Sequence, residues 1–210
     1  MDNIGLLGAG GMAREVARYS ISNVDFFAVS KEYKPTNSLD TDVRFIDIDN
    51  PDAIDRILKV VAAVGAPAVR RAMIDAWPGK VYENIIASSA EVFTEQTSSG
   101  LIIAPRAVIT DNVRLGNHTI INVSATVSHD SELGEYVTIS PGAHIAGNVK
   151  LEDGVFVGIG ATISNGVHIA SGSVVGAGAV VIKDVSEQNS ILVGNPARLI
   201  KVEEEWLRHV

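Results

Sequence analysis

The chain has no cysteine, few aromatic residues (5%), no Lys/Arg-rich run and no apolar run long enough to span a membrane. Each absence excludes something. Without cysteine there can be no disulfide, no thiolate metal site and no covalent route through a cysteine nucleophile. With 17 Lys+Arg against 25 Asp+Glu, the balance argues against nucleic acid or an anionic membrane as the main partner. A bilayer-spanning helix needs about 20 apolar residues, and none is present. The first residues, Met1-Asp2-Asn3-Ile4-Gly5-Leu6-Leu7, lack the basic and apolar regions of a secretory signal. A soluble cytoplasmic protein with no metal site is expected, of one or two domains at this length.

What the sequence does have is a repeat. From residue 103 to 186 an Ile, Leu or Val recurs every six residues without a break: Ile103, Ile109, Leu115, Ile121, Val127, Leu133, Ile139, Ile145, Leu151, Val157, Ile163, Ile169, Val175 and Val181. Four residues after each stands Ala, Val, Ser or Thr, from Ala107 through Thr119 to Ser173 and Val185. The small residue lies two positions before the next aliphatic one, so both point to the same side of a short strand. The remaining residues, often Gly, Asn or Asp, turn the corner. This is the pattern of a parallel β-helix, in which stacked rungs bury one aliphatic column. Between Ile86 and Ile103 the hexads start and stumble, with Ile86, Ala90 and Val92 as an opening rung and Thr94 to Gly100 as a polar insertion. After Val185 the repeat stops, and Val202 to His209 reads as a short capping helix.

Residues 3 to 86 read differently, as alternating strands and helices. Ile4 to Leu7, Asp25 to Val29, Val43 to Ile48 and Val60 to Val64 are strand-like, and Lys80 to Ile86 closes the unit. Ala13 to Tyr19, Pro51 to Lys59 and Pro67 to Trp77 are helix-compatible, the last two with Pro in the first turn. The alternation predicts a small doubly wound α/β domain over 1–85, followed by a β-helix with a C-terminal cap over 86–210. Gly8-Ala9-Gly10-Gly11-Met12-Ala13 matches G-x-G-x-x-A between strand and helix, which reads either as a phosphate cradle or as a structural turn. A dinucleotide-binding oxidoreductase is the rival reading. Against it, the second strand ends Val29-Ser30 rather than in an acid for a ribose diol.

Five histidines can be placed on the repeat. His118 falls at a turn, His144 and His168 face outward, and His209 lies in the tail; all are expected to be solvated. His129 sits at a corner in Val127-Ser128-His129-Asp130-Ser131. If three hexads close a coil, Asp111 stacks one rung below His129 and Gly147 one rung above. A carboxylate at Asp111 or Asp130 can hold the tautomer of the imidazole and raise its basicity.

Gly8-Ala9-Gly10-Gly11, Val64-Gly65 with Arg70-Arg71, Ile121-Asn122, Val127-Ser128-His129-Asp130, Ala146-Gly147-Asn148-Val149 and Gly194-Asn195-Pro196-Ala197 together give a resemblance over nearly the whole chain. It resembles the sugar acetyltransferases that modify sialic acid or 4-amino-4,6-dideoxy nucleotide sugars, members of the hexapeptide acyltransferases. The resemblance implies a left-handed hand for the β-helix, a Rossmann-like N-terminal domain and a homotrimer. It also implies acetyl-CoA as co-substrate, with His129 as general base and Asp130 as its partner. Gly147, Ile159 and Ala177 would contact acetyl-CoA. Gly8, Gly10, Gly11, Met12, Ser30, Gly65 and Asn122 would hold the acceptor, an amino sugar that can be nucleotide-linked. Departures from the pattern, at Met12, Val29-Ser30 and Ala66, all fall on the acceptor side. O-acetylation of sialic acid or another sugar, and a non-catalytic β-helix scaffold, are the alternatives. Outward apolar residues such as Ile159 and Ile182 fit a face covered by a second copy.

Overall fold

The computed structural model describes residues 3–30, 43–50, 59–79 and 81–209. The N-terminal part runs β1 (Asn3–Leu7), α1 (Gly11–Tyr19), β2 (Asn23–Val29), β3 (Arg44–Asp47), β4 (Lys59–Ala62) and α2 (Pro67–Ala76). Its strands form a parallel sheet in the order β3-β2-β1-β4. Side chains alternate across that sheet, as a strand dictates. Ile4, Leu6, Phe27 and Val61 go to one side with Ala13 and Val16 of α1. Leu7, Phe26, Ala28 and Val60 go to the other with Ile74 of α2 and Trp77. Two helices are present among the described residues. The helix expected from Pro51 lies outside them, except for Lys59, which opens β4 instead.

The repeat forms a β-solenoid. Sixteen two-residue strands, from β5 (Ile85–Ile86) to β20 (Val180–Val181), pair in parallel with the strand one coil away. The register matches Ile120 to Thr138 and Thr126 to His144, so a coil is three hexads long. All fourteen aliphatic openers are buried, and all belong to one continuous core. The small position is buried as well, including the polar Thr119, Ser131 and Ser173. Corners recur every six residues on a left-handed backbone residue, for example Asn112, Asp130 and Asn148, or glycine at 142, 154 and 160. Asn and Asp tolerate that conformation better than most side chains, and glycine adopts it freely.

The three faces differ in what they present outward. One face carries Ile102, Ile120, Thr138 and Phe156, all buried, and the N-terminal unit lies on it. Ile85, Ile102 and Ile120 join the same cluster as Ile4, Leu6 and Val16. A second, neutral face carries Val108, Thr126, His144, Thr162 and Val180. The third carries Arg114, Glu132, Lys150 and His168, a charged ladder that includes an Arg114–Glu132 ion pair.

Several expectations need correction. The segment closing the α/β unit does two jobs: Tyr82 bridges to Val60, and Ile85–Ile86 already pairs with the solenoid strand at 102–103. The stumble is a missing third side, since the opening coil has strands at 85–86 and 91–92 and then the loop at 94–100. The stack outlasts the repeat, because β21 (Ser190–Val193) adds a further rung on the strand at 174–175. The capping helix is absent. β22 (Arg198–Val202) pairs antiparallel with β21 instead, and 203–209 runs on as an irregular strap. His118 is buried, 5% exposed, between Tyr82 and Tyr136, with ring centroids 4.6 and 5.2 Å away. It occupies the corner that the N-terminal unit covers, a position period six cannot distinguish from an open one.

Candidate active site

His129 lies at the corner between the neutral and charged faces, with 58% of its side chain exposed. Its Nδ1 is 2.8 Å from Asp130 Oδ2. Asp130 can aim back at its neighbour because its backbone is left-handed, with φ of 61°. Asn112 Nδ2 donates to Asp130 Oδ1 at 2.8 Å from one coil below. That hydrogen bond, followed by the one with His129, holds the Asp130 carboxyl below its ordinary range. Asp130 is therefore the carboxylate at the imidazole. Asp111 contributes its carbonyl to Asp130 N–H, at 3.1 Å.

Gly147 is directly above. A Cβ there would fall 2.5 Å from His129 Cε1 and 2.6 Å from Nε2, so only glycine lets the ring occupy this place. The resemblance assigns Gly147 to acetyl-CoA, but the side chain that excludes a Cβ here is the imidazole itself. The neighbouring Ala146 and Asn148 N–H groups are bonded to Ile163 O and His129 O. Among the described residues Gly147 N–H makes no such backbone bond. Its carbonyl accepts from the Asn165 amide at 3.0 Å in the amide orientation that satisfies both groups. Asn112 and Asn165 are marked by no motif in the sequence. Both are legible afterwards, since they sit 18 residues from Asp130 and Gly147. Gly147→Leu is expected to push the imidazole aside, lowering kcat by about a hundredfold or more and raising the acetyl-CoA KM, with the fold retained. Unaltered kinetics in a folded variant would take Gly147 out of the site.

The remaining site residues fall elsewhere. Gly10, Gly11, Met12, Gly65, Asn122, Ile159 and Ala177 all line one cavity of about 640 Å³ between the N-terminal unit and the solenoid corner that follows the covered face. Phe156 and Thr138 complete its floor. Gly8 and Ser30 line a second cavity of about 540 Å³, which shares Gly10 and Val64 with the first and is otherwise bounded by the end of β2, the turn after β3, α2 and Arg208. His129, Asp130 and Gly147 line neither cavity. They stand one solenoid face away, about 15 Å at the rise of an extended chain. Ile159 and Ile182 are 62% and 50% exposed. Among the described residues no group of three or more His, Cys, Asp or Glu could hold a metal ion, and no helix is long and apolar enough to cross a membrane.

The chain is similar in structure, along nearly its whole length, to hexapeptide-repeat nucleotide-sugar acetyltransferases. A mutant of perosamine N-acetyltransferase from Caulobacter crescentus, in complex with CoA and GDP-perosamine, matches with a TM-score of 0.85 at 25% identity, over 96% of this chain and 98% of that one. The acetyltransferase domain of PglB from Neisseria gonorrhoeae, in complex with acetyl coenzyme A, matches at 0.82 and 26%, over 94% and 98%. WeeI from Acinetobacter baumannii matches at 0.81 and 27%, over 95% and 100%. No protein-family model and no curated protein sequence matches the chain.

Proposed function

We propose that the protein is an acetyl-CoA-dependent acetyltransferase acting on the amino group of a nucleotide-linked amino sugar, with His129 as general base. The observation that carries this reading is the corner itself: an exposed imidazole, held by a carboxylate through Nδ1, with a glycine directly above its ring. Structural similarity to enzymes crystallised with CoA and GDP-perosamine, or with acetyl coenzyme A, supports the substrate pair. Residues 1–85 are read as a Rossmann-like acceptor-binding domain and 86–210 as a left-handed β-helix that catalyses, in the cytoplasm where acetyl-CoA is at hand.

The chemistry follows from the geometry. Asp130 accepts a hydrogen bond from Nδ1–H, which holds the proton on Nδ1 and leaves Nε2 as the basic nitrogen. Nε2 removes a proton from the acceptor amine as that nitrogen attacks the thioester carbonyl. The carbonyl π electrons move to oxygen, and Gly147 N–H is the donor available to stabilise the resulting oxyanion. Collapse breaks the C–S bond, and the imidazolium returns its proton to the departing CoA sulfur. Gly147, Ile159 and Ala177 are assigned to the acetyl-CoA side, and Gly8, Gly10, Gly11, Met12, Ser30, Gly65 and Asn122 to the acceptor side.

One chain does not bring base and cavities together, so a second copy must. The neutral face and the exposed Ile159 and Ile182 are the surfaces suited to burial between copies, and the assembly proposed is a homotrimer. Sedimentation at micromolar concentration should give the trimer mass; a stable monomer would remove this part of the proposal. The reaction is tested by following thiol release from acetyl-CoA over a panel of nucleotide-linked 4-amino sugars, free amino sugars and sialic acid. Turnover confined to a nucleotide-linked amino sugar is expected. No release with any acceptor would favour a non-catalytic scaffold, and release only with sialic acid would make the enzyme an O-acetyltransferase.

A further inference from the structure

We propose that the C-terminal strap completes the acceptor site: Trp206 docks it across the solenoid and α2, and Arg208 at its end binds the acceptor's phosphate at the rim of the Gly8–Gly10 cavity. The inference rests on the reading of the acceptor as a nucleotide sugar, and adds a residue and a segment that no sequence motif marks.

The strap is built to arrive at this place. After β22 it leaves the solenoid end with Glu203 N–H donating to Asn189 O at 3.0 Å. Trp206 then fills the corner between the charged and covered faces. A Cβ on Gly154 or on Gly172 would lie 2.4 Å from its ring atoms, so two consecutive coils are pared to glycine where the indole sits. Arg71 of α2 stacks its guanidinium 5.1 Å from the indole centroid, a cation–π contact. Ala68 N–H, in the first turn of α2, donates to Leu207 O at 3.3 Å. These contacts tie one short segment to the solenoid and to the helix that walls the cavity.

The cavity it reaches has an apolar interior, including Val29, Ile48, Val64 and Met73, and two charged liners among the described residues, Asp49 and Arg208. Such a lining suits a ligand with a flat, weakly polar ring and an anionic end. The Arg208 guanidinium is held in place: Nε donates to Glu205 Oε2 at 2.8 Å, and Nη2 lies 2.6 Å from the same oxygen. Among the described residues Nη1 carries no such bond, which leaves it for a phosphate oxygen. A fixed guanidinium loses little freedom on binding and matches phosphate geometry. On the same cavity a Cβ placed on Gly10 would meet nothing within 4 Å, so the loop leaves open volume there. In a chain of formal net charge −8, a cation brought from its far end to this rim is what allows an anionic ligand to settle there. Asp49, at the end of β3, stands on the same cavity with a carboxylate suited to a ribose hydroxyl, the group that the Val29-Ser30 end of β2 does not supply.

Calorimetric titration of the full-length protein with GDP and UDP, and with guanosine and uridine, tests the proposal. The wild type should bind a diphosphate well above its nucleoside. Arg208→Gln should lower that diphosphate affinity about tenfold or more, while nucleoside and acetyl-CoA affinities stay as they were. Trp206→Ala, with Arg208 intact, should show the same selective loss as the strap lifts away. Wild-type diphosphate binding in a folded Arg208→Gln protein would overturn the role of Arg208 and leave the nucleotide-sugar reading standing. A wild-type protein that binds neither diphosphate would sink that reading and the proposal together.

Discussion

His129→Ala should lower kcat at least about a hundredfold, the lower bound for loss of a positioned general base, while acetyl-CoA affinity and melting temperature stay near wild type. The small structural cost follows from exposure: the imidazole is more than half solvent-exposed and its one side-chain partner is the exposed Asp130. Losing it removes a proton acceptor and opens no cavity. The pH–rate profile sharpens the test. Asp130 is held below the ordinary carboxylate range, first by Asn112 and then by His129. Its charge is therefore present above that lowered range and is lost only as pH falls through it. An acid limb of the rate profile that lies above that range is therefore not the titration of Asp130. A variant that keeps most of its activity on the true acceptor would show that another group, or none, takes the proton.

Arg70→Met should destabilise the protein by about 3 kcal/mol or more, since several buried carbonyls lose their donor at about 1–3 kcal/mol each, and should lower the urea midpoint accordingly. Arg70 is fully buried and comes from α2. Its Nε donates to His118 O at 2.9 Å, Nη1 to Val64 O at 2.6 Å and Gly65 O at 3.0 Å, and Nη2 to Tyr136 O at 2.5 Å and Thr138 Oγ1 at 2.9 Å. One guanidinium thus joins the turn after β4 to two consecutive coils of the solenoid. Burial draws its pKa down to about 9, still above neutrality, so it carries its charge in the folded state. Methionine would fill much of the volume but orphan the carbonyls, and an unsatisfied buried acceptor costs more than a neutral bond contributes. Lysine, with one compact head, cannot reach acceptors spread around a planar fork, so Arg70→Lys should recover only part of the loss. Wild-type stability in Arg70→Met would mean that the apolar contacts through Ile102 and Ile120 hold the two parts together unaided.

Much of this molecule was legible in one dimension. A solenoid strand is local, its coil closes on a fixed period, and each hexad states which residue points in and where the chain turns. The buried column from Ile103 to Val181 and the corner position of His129 followed from counting alone, whereas its stacking under Gly147 needed the three-hexad coil that the resemblance implied. The strands of the α/β unit were legible from their apolar runs. The pairing of His129 with Asp130 rather than Asp111 was not, because spacing brings both within one rung. Only the left-handed backbone at Asp130 and the donor from Asn112 decide it.

What the repeat could not state is which face meets what. All three faces share the same inward code, so the covering of one face by the N-terminal unit, the burial of His118 and the role of Arg70 depend on contacts between segments dozens of residues apart. The strap is the extreme case. Trp206 and Arg208 carry no periodicity, and the glycines that receive the indole look like any other corner glycine. Local sequence determined the elements, since strand, corner and hexad are written in neighbouring side chains. Their assembly into cavities, and the separation of the base from those cavities by one solenoid face, was decided by tertiary packing, because burial is a property of surfaces that meet only after the chain has folded.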